Sequence, residues 1–483
     1  MLSGCHLLDG GEIRRTCEDL VGGCAEGEET GLNNSETGLD EIDVDVDGDG
    51  DGFTTEDDCD DDDHSIYPGA DERCDGIDSD CDGTESSGLV TVDEVNHSTL
   101  QGAINTASEG STVHICGGVW DEELAISQSV NLVAMSELET PLVNAQGSGS
   151  TIHITGGNVE IHGMALKGGT GSPVKIDDQQ SYIVGGGIAI EAGSLLLTES
   201  LIENNSAYAG GGIYIDSDAD SVEIQDSIIR ANTGTSAAGG ILTFSDLTLR
   251  DTTITGNGAV TGAGLYVLES EVLMDNSHVT SNIAESQYGG ALIGLGNLTC
   301  QAGASITENQ AEFSGGGLTL LEGSATGCLI ADNESDYGAG VFFVSGNGSQ
   351  LTSTVIRGNE AATAGGGMYI NGTSIILEAC TVEGNGAPLG AGLYVDNDDE
   401  ELLISGGEFI SNTARGSGGG IYYASGFLQV LSVDFGLSDL ANSPDDFRDM
   451  SNFATEQSYS ELGSGTSFTC EQFFSSTYIC DLD

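Results

Sequence analysis

A pattern of aliphatic-x-x-Asn, a small-residue stretch, Gly-Gly or Gly-x-Gly, then apolar-x-apolar recurs nine times and constrains this chain more than any other feature. The asparagines are Asn205, Asn232, Asn257, Asn282, Asn309, Asn333, Asn359, Asn385 and Asn412, spaced 27, 25, 25, 27, 24, 26, 26 and 27 residues apart. A short apolar triplet follows each one, such as Ile213-Tyr214-Ile215, Leu265-Tyr266-Val267 or Leu393-Tyr394-Val395. One such unit cannot bury its own apolar face. Stacking successive units in register pairs each strand with its equivalents above and below at ~4.8 Å. The expected fold is therefore all-β, a parallel β-helix. Asn suits a turn residue in the left-handed conformation, and its amide can bond the amide of the next coil. Leucine-rich repeats would require a regular Leu pattern that is absent, and a propeller would need four strands in ~40–45 residues. From Val113 to Val430 there are 318 residues, or about twelve coils of ~26 residues and a rod ~60 Å long. Right-handed crossovers dominate between parallel strands, so the expected hand is right-handed.

Ahead of the repeat, Ser98 is the expected N-cap of a helix over 99–107, with Leu100, Ala103, Ile104 and Ala107 on one face. The polar stretch 170–181 reads as a loop inserted between coils. After residue 432 the period is lost, and Asn442-Ser443-Pro444-Asp445-Asp446 with Cys470 and Cys480 suggests an irregular cap over the open end. The expected division is a tether over 1–40, an acidic metal-binding segment over 41–85, the β-helix over 89–432 and a C-terminal cap over 433–483.

Charge narrows function. With 79 Asp+Glu against 10 Lys+Arg, the net charge of −69 repels nucleic-acid phosphates. No window approaches the ~20 apolar residues of a membrane-spanning helix. Residues 36–85 hold 22 acidic residues and one basic residue, Arg73. Within them, Asp45-x-Asp47-x-Asp49-Gly50-x5-Glu56 fits the calcium-loop template. A second register uses Asp47, Asp49, Asp51, Gly52, the Phe53 carbonyl and Asp58, and places Gly and the carbonyl where that loop wants them. The two share ligands and exclude one another. Alternating carboxylates supply the hard oxygens Ca2+ requires. Asp78, Asp80 and Asp82 form a half-loop lacking the position-12 carboxylate. The competing reading is a solvated, self-repelling linker.

Close cysteine pairs (Cys17 and Cys24; Cys59, Cys74 and Cys81; Cys470 and Cys480) suggest disulfides and an oxidising compartment. Cys116, Cys300, Cys328 and Cys380 lie in strand-like sequence and read as small buried core residues.

Residues 98–430 resemble the bacterial right-handed β-helix family of pectate-lyase-like architecture, in its non-enzymatic surface branch. The carriers are Leu100-Gln101-Gly102-Ala103-Ile104, Gly110-Ser111-Thr112-Val113, and repeats such as Gly289-Gly290-Ala291-Leu292 and Phe409-Ile410-Ser411-Asn412, similar to those of polymorphic outer membrane proteins. Residues 47–83 resemble the metal-binding motif repeated in bacterial surface proteins, through Asp58-Cys59-Asp60-Asp61, Tyr67-Pro68-Gly69-Ala70 and Glu72 to Gly83. That family includes a copper-binding protein, which with His64 makes copper the second metal considered. Leu2-Ser3-Gly4-Cys5 resembles a bacterial lipobox, which implies lipidation at Cys5 and an outer-membrane or extracellular location.

A lyase site would need a base on an acidic sugar. The rod offers only Lys167, Lys175, Arg230, Arg250, Arg357 and Arg415. Arg230 and Arg357 occupy equivalent places five coils apart, ~24 Å. Asp396, Asp398 and Asp399 read as an acidic inter-coil loop, and His97, His114, His153, His162 and His278 as scattered strand or loop residues. Tyr214, Tyr266, Phe342, Tyr369, Tyr394 and Tyr422 occupy the middle of the apolar triplets. An outward stripe of these rings would offer a surface to a cell-surface glycan or a protein; the alternative is a ladder that only supports strand stacking. The expected function is a calcium-binding structural or adhesive rod. The alternative is a polysaccharide-active lyase or hydrolase.

Overall fold

The computed structural model describes residues 47–70, 72, 77–83, 89–93, 95–135, 140–175, 180–344, 347–372, 374–436, 440–444 and 447–449, and the strands Phe468–Gln472 and Tyr478–Leu482. Cys5, the 1–40 tether, Asp45, Cys17, Cys24 and Cys74 lie outside the described residues.

Short apolar strands separated by tight corners dictate the architecture. The chain winds as an all-β parallel solenoid of about eleven turns. One register shows the principle: Leu195 pairs with Val222, then Leu247, Val272, Leu298 and Ala325, each one coil further along. All six are buried, because alternate residues point into the lumen. One apolar cluster fills that lumen from Val90 to Phe435. The strands form one 38-stranded and one 11-stranded sheet.

The asparagine column is a continuous ladder inside the wall. Asn232 accepts at Oδ1 from both the backbone N–H and the Nδ2 of Asn205, at 3.0 Å each. Its own Nδ2 donates to Asn257 Oδ1 at 3.1 Å and to the Ile202 carbonyl at 2.9 Å. The same arrangement repeats to Asn412, which donates to Asn442 at 2.9 Å. The ladder therefore has a tenth member beyond the expected end of the helix. The left-handed residue is not the asparagine itself but the one before it: Asn204, Ala231, Ser281, Glu308 and Asp332 have φ between 52° and 56°. The corner precedes the ladder and turns each amide inward. The glycines that follow are required by proximity. A Cβ on Gly212 would lie 2.7 Å from the Gly240 carbonyl and 3.1 Å from Asn232 Nδ2.

Three expectations change. The N-cap is Thr99, not Ser98: Thr99 Oγ1 accepts from Gly102 N at 3.1 Å, and the Glu122 carboxylate accepts from Leu100 N and Gln101 N at 2.9 and 3.0 Å, capping the helix Leu100–Thr106. The polar insertion is a β-hairpin, Ser172–Lys175 against Ser181–Val184. Its coil places Met164 and Ser200 36 residues apart, against 25 for Thr252 and Ser277, which is one reason there are fewer coils than length alone gives. Cys300 and Cys328 are buried in the core as expected, but they also form a disulfide, with Cα atoms 4.9 Å apart. Their separation of 28 residues is about one coil, so stacking brings them face to face. Cys116 is also disulfide-bonded; Cys380 is free and buried as expected.

At the end of the rod, Phe447–Asp449 adds a parallel strand to Ile421–Leu431, and an antiparallel hairpin covers it, with Cys470 and Cys480 as backbone partners. The open edge is thereby paired.

Candidate metal centre

Twenty-odd like charges cannot collapse on themselves, so the acidic segment must be held locally. Both oxygens of Asp47 and one oxygen each of Asp49, Asp51 and Asp58 do this. Asp47 accepts from Gly50 N at 2.6 Å and Gly52 N at 3.2 Å, Asp49 from Asp51 N at 3.1 Å, Asp51 from Phe53 N at 2.9 Å and Asp58 from Asp60 N at 2.9 Å. Gly50 and Gly52, at φ +87° and +105°, supply the left-handed bends between them. A short turn in which the Thr54 carbonyl accepts from Asp57 N and Asp58 N, both at 2.8 Å, brings Asp58 beneath the loop.

The remaining oxygens turn inward. Asp49 Oδ2, Asp51 Oδ2 and Asp58 Oδ2 are buried with no hydrogen-bond partner. Asp47, Asp49 and Asp51 each offer an oxygen within 4.8 Å of the others. Desolvation raises the Asp49 pKa; the Asp51 N–H opposes this, and the charges of Asp51, Asp58 and Asp47 push it further up. Buried, unpartnered anionic oxygens are costly unless a cation or proton satisfies them. The residues present therefore fit a hard cation with all-oxygen ligands. The geometry brings together three residues of the second register, Asp47, Asp49 and Asp51, while Asp58 groups with Cys59 and Cys81. Glu56 is exposed, and Asp45 lies outside the described residues. Phe53 stacks on Tyr67, with centroids 5.5 Å apart and planes at 11°.

The second half-loop contains a residue that sequence spacing missed. Glu72, Asp78 and Asp80 place carboxylate oxygens within 4.8 Å of one another. Glu72 accepts from Asp80 N at 2.7 Å. The carboxylate absent downstream is supplied from upstream, a direction the loop template does not search. Desolvation, then Asp82, Glu72 and Asp78, raise Asp80, against the Asp82 N–H. The Cys59–Cys81 disulfide joins the two halves. His64 is exposed, 3.8 Å from Asp63, and belongs to neither carboxylate group.

The aromatic positions divide into two groups. Tyr214 is 1% exposed, beneath Val174 and Val184 of the hairpin, and its hydroxyl donates to Asp216 at 2.7 Å. Tyr266 is half-buried beside the same cluster. Phe342, Tyr369, Tyr394 and Tyr422 stack in sequence, with centroids 5.4, 4.9 and 5.1 Å apart and planes within 12°. Their faces are covered by one another. The expected open stripe is thus broken at Tyr214, and elsewhere presents ring edges rather than platforms.

The rod's arginines are engaged between coils: Arg230 with Glu203 at 2.8 Å, Arg250 with Glu223 at 2.7 Å and Asp275 at 2.9 Å, Arg357 with Glu383 at 4.0 Å, and Arg415 with Glu360. The histidines are partnered too, His153 with Glu191 at 2.6 Å, His162 with Thr198 at 2.9 Å and His278 with Ser305 at 2.9 Å.

The chain matches the family model "Right handed beta helix region" over residues 142–311 and 293–434. The family model for a metal-binding motif named for copper-binding MopE matches residues 58–86. No curated protein matches the chain. Among solved structures, a polygalacturonase from Erwinia carotovora ssp. carotovora is similar at 11% identity and a TM-score of 0.26, covering 72% of this chain and 91% of its own.

Proposed function

This chain belongs to the right-handed β-helix family, and from that premise we propose that it is a calcium-binding structural or adhesive rod of the bacterial cell surface. The observation that carries the reading is the set of inward carboxylate oxygens on Asp49, Asp51 and Asp58 that no described residue satisfies. Asp47, Asp49, Asp51 and Asp58, with the Phe53 carbonyl, would hold the ion. Bound there, Ca2+ supplies the positive charge that lets these residues pack. Disulfides at Cys59–Cys81 and Cys300–Cys328 support export to an oxidising compartment, and lipidation at Cys5 would anchor the rod to the outer membrane.

Inter-coil pairing of the arginines supports a structural rather than a catalytic role for them: a guanidinium held between carboxylates is a cross-brace and a poor base. The alternative, a polysaccharide lyase or hydrolase, would draw its charges from elsewhere on the rod.

Calorimetry on the full chain tests the proposal. Ca2+ should bind to the wild type, and Asp49→Ala and Asp58→Ala should each weaken that binding by about tenfold or more. Absence of heat at millimolar Ca2+ removes the calcium reading; tight Cu2+ binding without Ca2+ binding transfers the site to copper.

A further inference from the structure

The 11-stranded sheet reverses the usual placement of bulk. Its inward column is made of the smallest residues: Ala207, Gly234, Ala259, Ala284 and Ala311 follow one another in register and are buried. Alternate residues of a strand face solvent, and the large apolar side chains lie on that outer side. Val260, Ile283, Phe313 and Tyr337, one on each of four successive coils, are between 36% and 54% exposed. Gly258 pairs with Ile283 and Ile283 with Gln310, while Phe313 N donates to the Ser286 carbonyl and Tyr337 N to that of Phe313, so the four coils are neighbours. The Tyr337 ring meets Tyr369 at 75°, with centroids 5.4 Å apart, which makes the patch continuous with the aromatic ladder. Single exposed apolar residues are ordinary, whereas a contiguous run marks an interaction site.

Charge identifies the occupant. Glu285, Glu312 and Glu334 stand exposed among these side chains, and among the described residues no lysine or arginine pairs with them. Arg415, further along the sheet, is held by Glu360. A second copy would set carboxylate against carboxylate, and the net charge of −69 adds to that repulsion. An anionic lipid surface is repelled likewise. A cationic polypeptide is attracted. Its lysines can lay their methylene stems beside the apolar run while their ammonium groups reach the carboxylates. The run crosses three coil steps of ~4.8 Å, about 14 Å in all, which is the length of about ten residues of helix. An amphipathic helix offers an apolar stripe of that form.

We propose that the outer face of this sheet docks a cationic amphipathic helix of a partner protein, with its apolar stripe on Ile283, Phe313 and Tyr337 and its cations against Glu285, Glu312 and Glu334. The inference rests on the surface-rod reading and names the class of partner that rod would hold.

The test titrates three synthetic peptides into the full chain by calorimetry, in Ca2+ buffer at physiological ionic strength: a leucine–lysine helix with one apolar stripe, its scrambled isomer, and the leucine–glutamate counterpart. The wild type should bind the striped helix about ten times or more as tightly as the scrambled isomer; attraction to the acidic segment at 36–85 is common to both. Ile283→Ser/Phe313→Ser should reduce the striped helix to the scrambled level. Glu285→Gln/Glu312→Gln/Glu334→Gln should weaken it severalfold and flatten its salt dependence. The substituted side chains are exposed, so melting should not change. Ile376→Ser, at an exposed isoleucine of the other sheet, should bind as the wild type does. Equal binding of the striped and scrambled peptides reduces the face to charge and overturns the proposal. Equal binding by the wild type and Ile283→Ser/Phe313→Ser places docking elsewhere and overturns it too, as does preference for the glutamate helix. Self-association of the wild type that the same double variant abolishes gives the face to a second copy instead. If no peptide binds, the proposal falls, and the separate Ca2+ titration still decides the parent reading.

Discussion

The rod and the acidic segment solve the problem of buried polar groups in opposite ways. In the rod every ladder asparagine is buried, and each coil supplies the partner its neighbour needs: Asn309 is fully buried, accepts from Asn282 N and Nδ2 and donates to Asn333 and the Val279 carbonyl. In the segment 47–83, buried carboxylate oxygens face each other with no donor between them. The rod also has a lumen of aliphatic side chains, whereas among the described residues of the segment Ile66 and Ala70 are the buried apolar ones. The difference teaches that the rod's asparagines satisfy one another, while the segment's carboxylates leave anionic oxygens that a cation or a proton would satisfy.

Cutting the ladder breaks that comparison most severely. Asn309→Ala takes their shared acceptor from two N–H donors of Asn282 and a donor from the Val279 carbonyl, leaves Asn333 Oδ1 with only the backbone N–H of residue 309, and should cost about 3–5 kcal/mol in denaturant unfolding. A loss under ~1 kcal/mol would mean the coils hold without their amides. Next in size is the inter-coil disulfide. Replacing Cys300 and Cys328 together by Ala opens a loop of 28 residues, for which chain entropy gives about 3.6 kcal/mol; thermal melts under matched conditions check this. Smaller, but opposite in sign between conditions, is Asp58→Asn. It should relieve repulsion and raise the segment's resistance to protease in chelator, and lower it in Ca2+. The same sign in both would remove the cation from the account.

The mildest effect is alkaline. Burial raises the Tyr369 pKa from 10.0 to about 12. A raised folded pKa gives stability that is full below the unfolded value and is lost as pH rises through the folded one. The rod should hold below pH 10 and weaken towards about 12, with Tyr369 absent from the first phase of a spectrophotometric tyrosine titration. Its ionisation near 10 would deny the packing of the ring stack.

The rod was legible because a period survives in sequence: asparagines recurring every 24 to 27 residues become a column once each coil closes. Where the period fails, so does the reading. Asn442 follows Asn412 by 30 residues without the Gly-Gly signature, and its place in the ladder shows only in three dimensions. Cys300 and Cys328 looked like core residues because the distance that matters runs across coils, not along the chain. The hairpin at 172–184 hid in a polar stretch where, among the described residues, Val174 and Val184 are the buried apolar ones. In the metal segment the Asp spacing named Asp47, Asp49 and Asp51 together, and their carboxylates do converge, because neighbours within one loop are local. Glu72 was missed because the fold brings it back from the other side.

Hydrogen exchange on the intact protein, compared with and without Ca2+, addresses the central contrast directly. Amides in 47–83 should exchange slowly with the ion present and rapidly in chelator, while those along the ladder from Asn205 to Asn412 stay unchanged. Equal protection of 47–83 in both buffers would contradict the account, since the segment would then have folded around its own charges unaided.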